Sequence, residues 1–428
     1  MSGKGHTRME KLVIEGGKPL EGEVEISGSK NAVLPIMAAT LLTDASCTIR
    51  RVPKLRDVMT MIKLLRSLGK KVEMTGGTVV VESKGRLNHV ADYQLVSTMR
   101  GSFCVLGPLL AKLGKAKVSL PGGCVIGVRP VDLHLKGLGA LGAKFEIENG
   151  YVVSQAKRLK GTSVYLGGIF GSSVLATANV LMAATLAQGT TIIESAACEP
   201  EIENLCHFLK AMGAKIEGTG SYRLIVTGVK KLKGVSFDVI PDRIEAGTYI
   251  LLAAATRGNI RVKGADYAHL WALMDKLRQV GVEVIQEKGT IRVKAKKTLN
   301  PAGITTHPYP GFPTDLQAQF MALMAVTPGV SVITERVYPD RFIHVAELNR
   351  MGADIQREGT SAIVQGVKVL HGAPVMASDL RASAGLVIAG LAAKGRTEIN
   401  RMYHLERGYE NLDAKLLALG ARISREKE

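Results

Sequence analysis

The phrase Leu64-Leu-Arg-Ser-Leu-Gly69-Lys-Lys-Val72 begins with apolar residues at helical spacing, reaches a glycine and continues as a strand. Similar phrases return five more times along the chain, with the glycine at Gly142, Gly213, Gly281, Gly352 and Gly420. The successive glycines are 73, 71, 68, 71 and 68 residues apart. Spacing this regular predicts six copies of one structural unit of about 70 residues.

The residues around each glycine predict the contents of one repeat. A glycine at the end of a helix can adopt the positive φ that closes the last turn. After Gly213, residues 215–217 and 222–226 alternate in polarity on either side of a turn, which predicts a β-hairpin. A second recurring phrase has an Ala/Leu-rich helix, usually a glycine, and then a β-branched strand, as at Gly189 and Gly329. Each repeat should therefore hold two helices and about four strands.

Chain length decides how the repeats are grouped. A chain of 428 residues exceeds the size at which a single core keeps growing, so we expect two domains of three repeats each. The fold class is therefore predicted as α+β, with a cleft between two similar domains. Ligands commonly bind at such domain interfaces.

Composition indicates a cytoplasmic protein that neither spans a membrane nor binds nucleic acid. No apolar run approaches the roughly 18 residues that a membrane helix needs. Five cysteines without a CxxC pair argue against a disulfide framework. The net charge of +18 comes from basic residues spread along the chain, and the densest run, Lys294-Ala-Lys-Lys297, contains no aromatic residue. A solvated basic surface, or a cleft for polyanionic small molecules, explains this charge better than a nucleic-acid site.

The segment Pro121-Gly-Gly-Cys124-Val-Ile-Gly-Val-Arg129-Pro130 follows a predicted strand. Its three glycines and two prolines describe a loop that can move and approach a ligand closely. Cys124, between glycines and near an arginine, is a candidate reactive thiol. Cys104 and Cys206 lie in apolar helical runs and should be buried. The loop matches neither GxGxxG nor the P-loop pattern, so neither a dinucleotide nor ATP is indicated.

Lys30 and Asn31 stand at the start of a predicted helix, where free N–H groups and the helix dipole favour an anion. The alternative is an ordinary Ser/Asn cap beside a solvated lysine. Thr314-Asp315 and Ser378-Asp379 also open apolar helices. Either aspartate could be a general base, and either pair could be a simple helix cap.

These segments together resemble the enolpyruvyltransferases, and specifically the UDP-N-acetylglucosamine 1-carboxyvinyltransferase (MurA) family. The likeness runs from about Leu12 to about Arg425. It rests on Ser27-Gly-Ser-Lys30-Asn31-Ala, Val52-Pro-Lys-Leu-Arg-Asp57, Pro121-Gly-Gly-Cys124, Gly127-Val-Arg129-Pro-Val-Asp132-Leu-His134, Glu199-Pro-Glu-Ile, Pro241-Asp242-Arg243-Ile-Glu, Phe312-Pro-Thr-Asp315-Leu-Gln-Ala-Gln, Asp379-Leu-Arg381-Ala-Ser and Glu406-Arg407-Gly-Tyr-Glu.

The resemblance implies a two-domain inside-out α/β barrel with three repeats in each domain. The chain would cross twice between domains. Residues 1–29 plus 241–428 would form the domain with the general base and part of the arginine cluster, and residues 30–240 the domain with the cysteine loop. The implied reaction transfers enolpyruvyl from phosphoenolpyruvate to the 3-hydroxyl of UDP-N-acetylglucosamine through a tetrahedral ketal. This is the first committed step of peptidoglycan synthesis, and it implies no metal and no cofactor.

The resemblance also carries over site residues by position. The implied catalytic residues are Cys124, Asp315, Lys30, Arg407 and Asp379. The implied phosphoenolpyruvate ligands are Lys30, Asn31, Arg100, Arg129, Arg341, Arg381 and Arg407. The implied nucleotide-sugar ligands are Asn31, Arg100, Arg129, Pro130, Val131, Asp132, Leu133, His134, Ser173, Asp315 and Val337. Cys124 further implies alkylation by fosfomycin.

One departure keeps an alternative open. Where many members read Ser-Val-Gly-Ala-Thr-Glu-Asn, this chain has Leu175 and Ala178 in place of the glycine and the glutamate. A sister enolpyruvyltransferase that uses another nucleotide acceptor, such as UMP, therefore remains an alternative. A 5-enolpyruvylshikimate-3-phosphate synthase is disfavoured, because its Gly-Asn-Ala-Gly-Thr segment is missing. A catalytically silent protein is disfavoured by the joint presence of the lysine, arginine, cysteine and aspartate set.

Overall fold

A computed structural model describes residues 10–121 and 131–427 of the chain. The chain forms two compact units. The first unit takes the chain up to Ile26 and again from Pro241 onward, and the second is Ser27–Ile240. Each unit has a hydrophobic core built only from its own residues.

The α-helices of the described residues are short or of medium length. They are α1 Lys30–Ala39, α2 Arg56–Ser67, α3 Tyr93–Val96, α4 Leu106–Leu113, α5 Asp132–Ala140, α6 Val174–Ala184, α7 Pro200–Ala211, α8 Arg243–Ala255, α9 Trp271–Val280, α10 Gln317–Ala325, α11 His344–Arg350, α12 Leu380–Ala392 and α13 Leu412–Ala418. Five 3-10 helices accompany them within the same residues, at Thr40–Leu42, Arg100–Val105, Tyr267–Leu270, Thr314–Leu316 and Met402–Arg407.

The strands alternate with these helices along the chain. They are β1 Glu10–Glu15, β2 Glu21–Glu25, β3 Cys47–Arg50, β4 Lys70–Thr75, β5 Thr78–Ser83, β6 Val90–Ala91, β7 Lys115–Ser119, β8 Lys144–Glu148, β9 Tyr151–Gln155, β10 Ser163–Tyr165, β11 Gly167–Gly168, β12 Gly171–Ser172, β13 Thr190–Glu194, β14 Lys215–Glu217, β15 Arg223–Thr227, β16 Ser236–Asp238, β17 Asn259–Lys263, β18 Glu283–Glu287, β19 Thr290–Lys294, β20 Ile304–Thr305, β21 Gly329–Thr334, β22 Asp354–Glu358, β23 Ser361–Gly366, β24 Pro374–Met376, β25 Arg396–Asn400 and β26 Arg422–Lys427.

Within the described residues, the strands form one two-stranded hairpin, β11-β12, and six four-stranded sheets that share one pairing pattern. The sheet orders are β16-β3-β5-β4, β6-β7-β9-β8 and β10-β13-β15-β14 in the second unit, and β2-β17-β19-β18, β20-β21-β23-β22 and β24-β25-β1-β26 in the first. In every sheet the first pair is parallel and the next two pairs are antiparallel. The predicted six repeats and the α+β class are therefore confirmed.

The helices fill the interior of each unit and the sheets lie outside them, which is the inside-out arrangement. In the first unit α10 packs against α8 and α12, and all nine residues of α10 are buried. In the second unit α4 packs against α6. A helix buried on all sides must be apolar all round, and this explains the Ala- and Leu-rich stretches of the sequence.

The six repeat glycines behave as the sequence predicts. Each has a positive φ, from 85° at Gly420 to 103° at Gly213, and each lies one or two residues after the last residue of a helix. Cys104 and Cys206 are fully buried, also as expected. Within the described residues, no helix combines the length and the apolar character needed to cross a lipid bilayer.

Candidate active site

Asp315 lies between two arginines in the first unit. It belongs to the 3-10 turn Thr314–Leu316 that leads into α10. Arg341 Nη1 donates to Asp315 Oδ1 at 2.8 Å, and Arg381 Nε donates to Oδ2 at 3.3 Å. Two guanidinium groups thus hold the two oxygens of one carboxylate and fix the plane of the side chain. Its side chain is still 26% exposed, so a ligand can reach it.

The two candidate aspartates do different things. Asp379 is the N-cap of α12, where one of its oxygens accepts from the backbone N–H groups of Arg381 and Ala382 at 2.7 and 3.1 Å. Asp379 rather than Ser378 therefore caps this helix. Asp315 caps no helix, because the 3-10 turn and α10 both start without a side-chain cap. The simple-cap interpretation is correct for Asp379 and wrong for Asp315.

Both arginines that hold Asp315 are buried. Arg341 is 5% exposed and Arg381 is 1% exposed. Burial acts to lower the pKa of the Arg341 guanidinium, but the charges of Asp315 and Asp379 outweigh it and raise that pKa. Burial alone would raise the pKa of Asp379, but Arg341 and the N–H groups of α12 outweigh burial and hold this pKa below its usual value. These groups stay charged at neutral pH.

The end of the Arg381 guanidinium is buried against Tyr409 and Gly408. Among the described residues, neither Nη1 nor Nη2 has a hydrogen-bond partner of good geometry, although both atoms are buried. The Tyr409 ring lies under the guanidinium, with 5.3 Å from Cζ to the ring centroid. Gly408 passes so close that a Cβ there would lie 3.4 Å from Nη1 and would collide with Leu380. A buried guanidinium with unused donors is suited to an anionic ligand.

A fully buried carboxylate, Glu335, organises the segment around Arg341. It accepts from the hydroxyls of Thr306 and Thr314, with Thr314 Oγ1 at 2.9 Å, and from the backbone N–H groups of Val337 and Tyr338. Thr314 gives its one hydroxyl proton to Glu335, so its oxygen is free to accept from Arg341 Nη1 at 3.0 Å. A chain of hydrogen bonds thus runs from Glu335 through Thr314 and Arg341 to Asp315.

A second set of contacts supports the other side of Asp315. Gln319 Nε2 donates to the Asp315 carbonyl oxygen at 2.9 Å and lies 3.2 Å from the Tyr409 hydroxyl. The Tyr409 hydroxyl also pairs with Thr248 Oγ1 at 2.9 Å. These contacts join α8, α10 and the segment after Arg407, so three repeats position Asp315 and Arg381 together.

Arg407 ends the 3-10 helix Met402–Arg407, directly before Gly408. The structure therefore places Arg407 next to the residue that contacts Arg381. Burial lowers the pKa of the neighbouring His404, and Arg407 lowers it further while Asp379 opposes this. Asp315, Asp379, Arg341 and Arg381 thus form one cluster in the first unit, and Arg407 immediately precedes Gly408, which packs against Arg381.

In the second unit, Lys30 occupies the first turn of α1. Ser29 rather than Asn31 caps this helix, accepting from Ala32 N at 3.3 Å. Lys30 is 7% exposed and its Nζ lies 3.4 Å from Asp57 Oδ2, so the solvated-lysine alternative is wrong. Asn31 follows in the same turn and is half-buried.

His134 and Arg100 lie near each other in the second unit. His134, in the first turn of α5, is buried, and its ring meets Phe103 edge-on with centroids 5.0 Å apart. Phe103 belongs to the 3-10 helix that starts at Arg100. Burial, followed by the charge of Arg100, lowers the pKa of His134 to about 3. His134 is therefore neutral at physiological pH.

The other candidate nucleotide-sugar residues lie at helix starts and in turns. Asp132 begins α5 and is exposed, with Val131 and Leu133 half-buried on either side. Ser173 caps α6, and Leu175 lies in the first turn of that helix, half-buried against the core. A Cβ at Gly168 would lie 3.1 Å from Leu133, so the hairpin before Ser173 packs on the start of α5.

The remaining predicted residues are Val337 and those of the cysteine loop. The Val337 N–H, in the first unit, already donates to Glu335 at 2.9 Å. Cys124, Arg129 and Pro130 fall within residues 122–130, outside the described residues.

Sequence reasoning missed several residues that build the site. Thr314, Gln319, Tyr409 and Asn179, whose Nδ2 lies 2.8 Å from His134 Nδ1, are uncharged polar residues. The fifth, Glu335, is an isolated acidic residue. For Glu335, the available sequence signal was an acidic residue directly after the β-branched strand β21. The partners of the other four residues are distant in sequence, so no local pattern identifies them.

Comparisons with known proteins agree on one family. A family model described as EPSP synthase (3-phosphoshikimate 1-carboxyvinyltransferase) matches residues 14–416. The UDP-N-acetylglucosamine 1-carboxyvinyltransferase of Methylacidiphilum infernorum is 53% identical over 417 residues, covering 97% of this chain and 99% of the relative. The enzyme of the same name from Myxococcus xanthus is 52% identical over 422 residues, covering 98% and 100%.

Solved structures share the fold. The enolpyruvyl transferase NikO from Streptomyces tendae superimposes with a TM-score of 0.89 at 25% identity, covering 98% of this chain and 100% of that chain. An EPSP synthase from Acinetobacter baumannii gives a TM-score of 0.75 at 18% identity with the same coverage, which is evidence for the fold alone. The chain therefore belongs to the EPSP synthase family of enolpyruvyltransferases, and within it to the UDP-N-acetylglucosamine 1-carboxyvinyltransferases.

Proposed function

We propose that the protein transfers the enolpyruvyl group of phosphoenolpyruvate to the 3-hydroxyl of UDP-N-acetylglucosamine and releases phosphate. One observation carries the proposal furthest. Asp315 lies beside the buried Arg381, whose Nη atoms have no good partner among the described residues. This arrangement offers a carboxylate for a hydroxyl proton and unused guanidinium donors for an anion at one place.

Asp315 is the general base of the proposed reaction. Its carboxylate is oriented by two arginines, is partly exposed, and caps no helix. Asp379 is 6% exposed and accepts two backbone N–H groups, so it is poorly placed to accept a further proton. Asp379 instead caps α12 and contributes charge near Arg341, with 3.8 Å between Oδ1 and Nη2.

Phosphoenolpyruvate brings a phosphate and a carboxylate, and both groups suit arginine forks. Arg341, Arg381 and Arg407 from the first unit, with Lys30, Asn31, Arg100 and Arg129 from the second, are the proposed ligands. The nucleotide sugar is assigned to Asn31, Arg100, Arg129, Pro130, Val131, Asp132, Leu133, His134, Ser173, Asp315 and Val337. A pair of anionic substrates needs such a concentration of positive charge.

The proposed reaction has two steps that balance. In the first, Asp315 takes the proton of the sugar hydroxyl, the oxygen bonds to C2 of phosphoenolpyruvate, and C3 receives a proton from the Cys124 thiol. The product is a tetrahedral ketal that still carries the phosphate. In the second, the Cys124 thiolate takes a proton from C3, the C2–O bond to phosphate breaks, and the vinyl ether forms. Asp315 gives its proton to the departing phosphate, so both residues return to their starting states. Lys30, Arg381 and Arg407 stabilise the departing phosphate.

The role of Cys124 leads to a pharmacological expectation. The thiolate would open the epoxide of fosfomycin and form a stable thioether. Activity of the native protein should then decay with time in fosfomycin, and Cys124→Asp should be protected. A native enzyme that keeps full activity under these conditions excludes this role for Cys124.

The proposed product is the first committed intermediate of peptidoglycan synthesis, and we assign the reaction to the cytoplasm. Phosphate release from phosphoenolpyruvate, measured with UDP-N-acetylglucosamine, UMP or shikimate 3-phosphate, tests the acceptor. We expect release with UDP-N-acetylglucosamine and a large loss in Cys124→Ser. Faster release with UMP would support the sister activity instead, and no release with any acceptor would contradict enolpyruvyl transfer.

A further inference from the structure

The side chain of Asn179, in α6, has an orientation that the main chain dictates. The residue is fully buried. Its Oδ1 accepts from the backbone N–H of Gly107 at 2.8 Å, and its Nδ2 donates to the backbone carbonyl of Phe103 at 3.0 Å. A carbonyl can only accept and a backbone N–H can only donate, so the oxygen and nitrogen ends of this amide cannot be exchanged.

The packing around Asn179 leaves it no room to turn. Gly107 lies on α4, and a Cβ built there would collide with the main chain of Asn179 and lie 3.0 Å from its Oδ1. Helices α4 and α6 therefore approach closely at this point. The amide is clamped between two main-chain groups of the segment from Phe103 to Gly107.

The fixed amide determines the tautomer of His134. The second N–H of Asn179 Nδ2 points at His134 Nδ1, and the two nitrogens are 2.8 Å apart. Since Nδ2 is a donor, Nδ1 must be the acceptor. A neutral imidazole with an accepting Nδ1 carries its proton on Nε2. The edge-on contact with Phe103 fixes the plane of the same ring.

The ring also keeps this form over a wide pH range. Burial and the charge of Arg100 lower the pKa of His134 to about 3. The groups that face the ring are Asn179, Phe103 and the cationic Arg100, and none of them favours a second proton. Because Nδ1 accepts from Asn179, Nε2 carries the ring proton and is a donor.

We propose that Asn179 is a positioning residue, which holds His134 as a fixed Nε2–H donor for an acceptor oxygen of the nucleotide sugar. The inference rests on the proposed function for the identity of the ligand. His134 lies beside Arg100 and Leu133, both assigned above to the nucleotide sugar. A neutral donor that cannot rotate or change tautomer selects an oxygen acceptor at one place without adding charge.

Nitrogen-15 NMR of histidine-labelled protein tests the tautomer directly, with His134→Gln used to assign the signal among the nine histidines. We expect a pyridine-type Nδ1 and a pyrrole-type Nε2 that do not change across neutral pH. In Asn179→Ala this signature should give way to a mixture of tautomers. A pyrrole-type Nδ1 in the native protein would overturn the inference.

Binding of UDP-N-acetylglucosamine tests the role of the donor. Asn179→Ala should raise the Kd about tenfold, the equivalent of one lost hydrogen bond. Asn204→Ala is the matched control, because Asn204 is also a buried amide in the second unit, accepting from Ile240 N at 3.4 Å. The control should bind as the native protein does. Equal Kd values for Asn179→Ala and Asn204→Ala would contradict the positioning role.

A pair of His134 variants keeps the inference testable if Asn179→Ala does not fold. The amide nitrogen of His134→Gln lies near the position of Nε2 and can replace the donor, whereas His134→Leu cannot. We expect His134→Gln to bind the nucleotide sugar more tightly than His134→Leu, and equal affinities would overturn the inference. If the native protein fails to bind UDP-N-acetylglucosamine at all, the proposed function fails, while the NMR result still decides the tautomer.

Discussion

Asp315 and Asp379 have similar sequence settings, but their carboxylate oxygens make different contacts. The Asp379 carboxylate caps the N-terminus of α12, where it accepts hydrogen bonds from two backbone N–H groups. The two carboxylate oxygens of Asp315 instead accept from the side chains of Arg341 and Arg381, and the side chain stays 26% exposed. The difference arises because α12 begins with a capping residue, whereas α10 is preceded by a 3-10 turn.

Replacing each aspartate by asparagine should therefore have different effects on turnover. Asp315→Asn removes the proposed base, so we expect kcat to fall by about 10²- to 10⁴-fold while substrate binding persists. Asp379→Asn should keep most of its turnover, because asparagine caps helices about as well as aspartate. Steady-state kinetics with both variants checks this. A larger loss of kcat in Asp379→Asn would reverse the assignment.

Two buried neutral histidines should make the fold sensitive to acid. Burial lowers the pKa of His134 to about 3 and that of His344 to about 4. In the unfolded chain both regain a pKa near 6.5, so below that pH the unfolded state binds more protons. For each histidine, the free energy of unfolding should fall by about 1.4 kcal/mol for each unit that the pH drops between its pKa in the unfolded chain and its pKa in the folded protein.

Urea unfolding at about pH 7 and about pH 5.5 measures this loss above the range in which carboxylates titrate. His344→Gln should show a smaller dependence on pH than the native protein. An identical dependence in native protein and variant would contradict the burial of a neutral His344.

At the scale of elements, the segment after β21 is held in place by Glu335. Removing the Thr314 hydroxyl breaks the hydrogen bonds that link Glu335 to Arg341 and leaves both charged groups in place. Thr314→Val should therefore lower kcat by about 10- to 100-fold with little change in KM, since a small displacement of catalytic groups has effects of this size. Thr314→Ser keeps the hydroxyl and should restore most of the loss.

Thr327→Val is the matched control for Thr314→Val. Thr327 is a fully buried threonine of the same unit, and its hydroxyl donates to the Leu323 carbonyl in α10 at 2.8 Å. Its kcat should stay near the native value. Equal losses in Thr314→Val and Thr327→Val would assign the effect to general loosening of the unit.

Substitution of a repeat glycine tests whether the chain needs a positive φ where a helix ends. Gly213 has a φ of 103° and open space around its Cβ position, so Gly213→Ala should cost about 1–2 kcal/mol from backbone strain alone. Gly139 lies within α5 with its nearest neighbour at an ordinary 3.7 Å, and Gly139→Ala should be neutral or stabilising. Chemical denaturation of both variants measures the change in the free energy of unfolding, which should fall in Gly213→Ala and stay equal or rise in Gly139→Ala. A neutral Gly213→Ala would argue against its helix-capping role.

Elements of the fold could be predicted because their signals are local. A glycine at a helix end, an alternating strand and an Ala-rich buried helix each leave a pattern within about ten residues, and the sixfold recurrence made these patterns reliable. Helix starts were less predictable. Ser29 and Asp379 cap their helices, while Asn31 and Ser378 do not, because the capping residue depends on the φ/ψ values of one position.

At the scale of the whole molecule, the site could be predicted only in part. Resemblance supplied Asp315, Arg341 and Arg381 as separate positions, and the structure adds that they contact one another. Asp315 and Arg381 lie on different repeats of the first unit, and Arg381 and Tyr409 lie on different elements of one repeat. Contacts between repeats depend on three-dimensional packing, for which a single sequence carries no local signal. Asn179, whose partners Phe103 and Gly107 are more than 70 residues away, was missed for the same reason.

The most direct test of the account follows the carbon skeleton rather than the phosphate. Phosphoenolpyruvate labelled with carbon-14 is incubated with UDP-N-acetylglucosamine and either native protein or Asp315→Asn, and the label in the nucleotide sugar is counted. The account predicts rapid labelling with native protein and very slow labelling with the variant. Label that never reaches the nucleotide sugar, or that reaches it equally fast with Asp315→Asn, would contradict it.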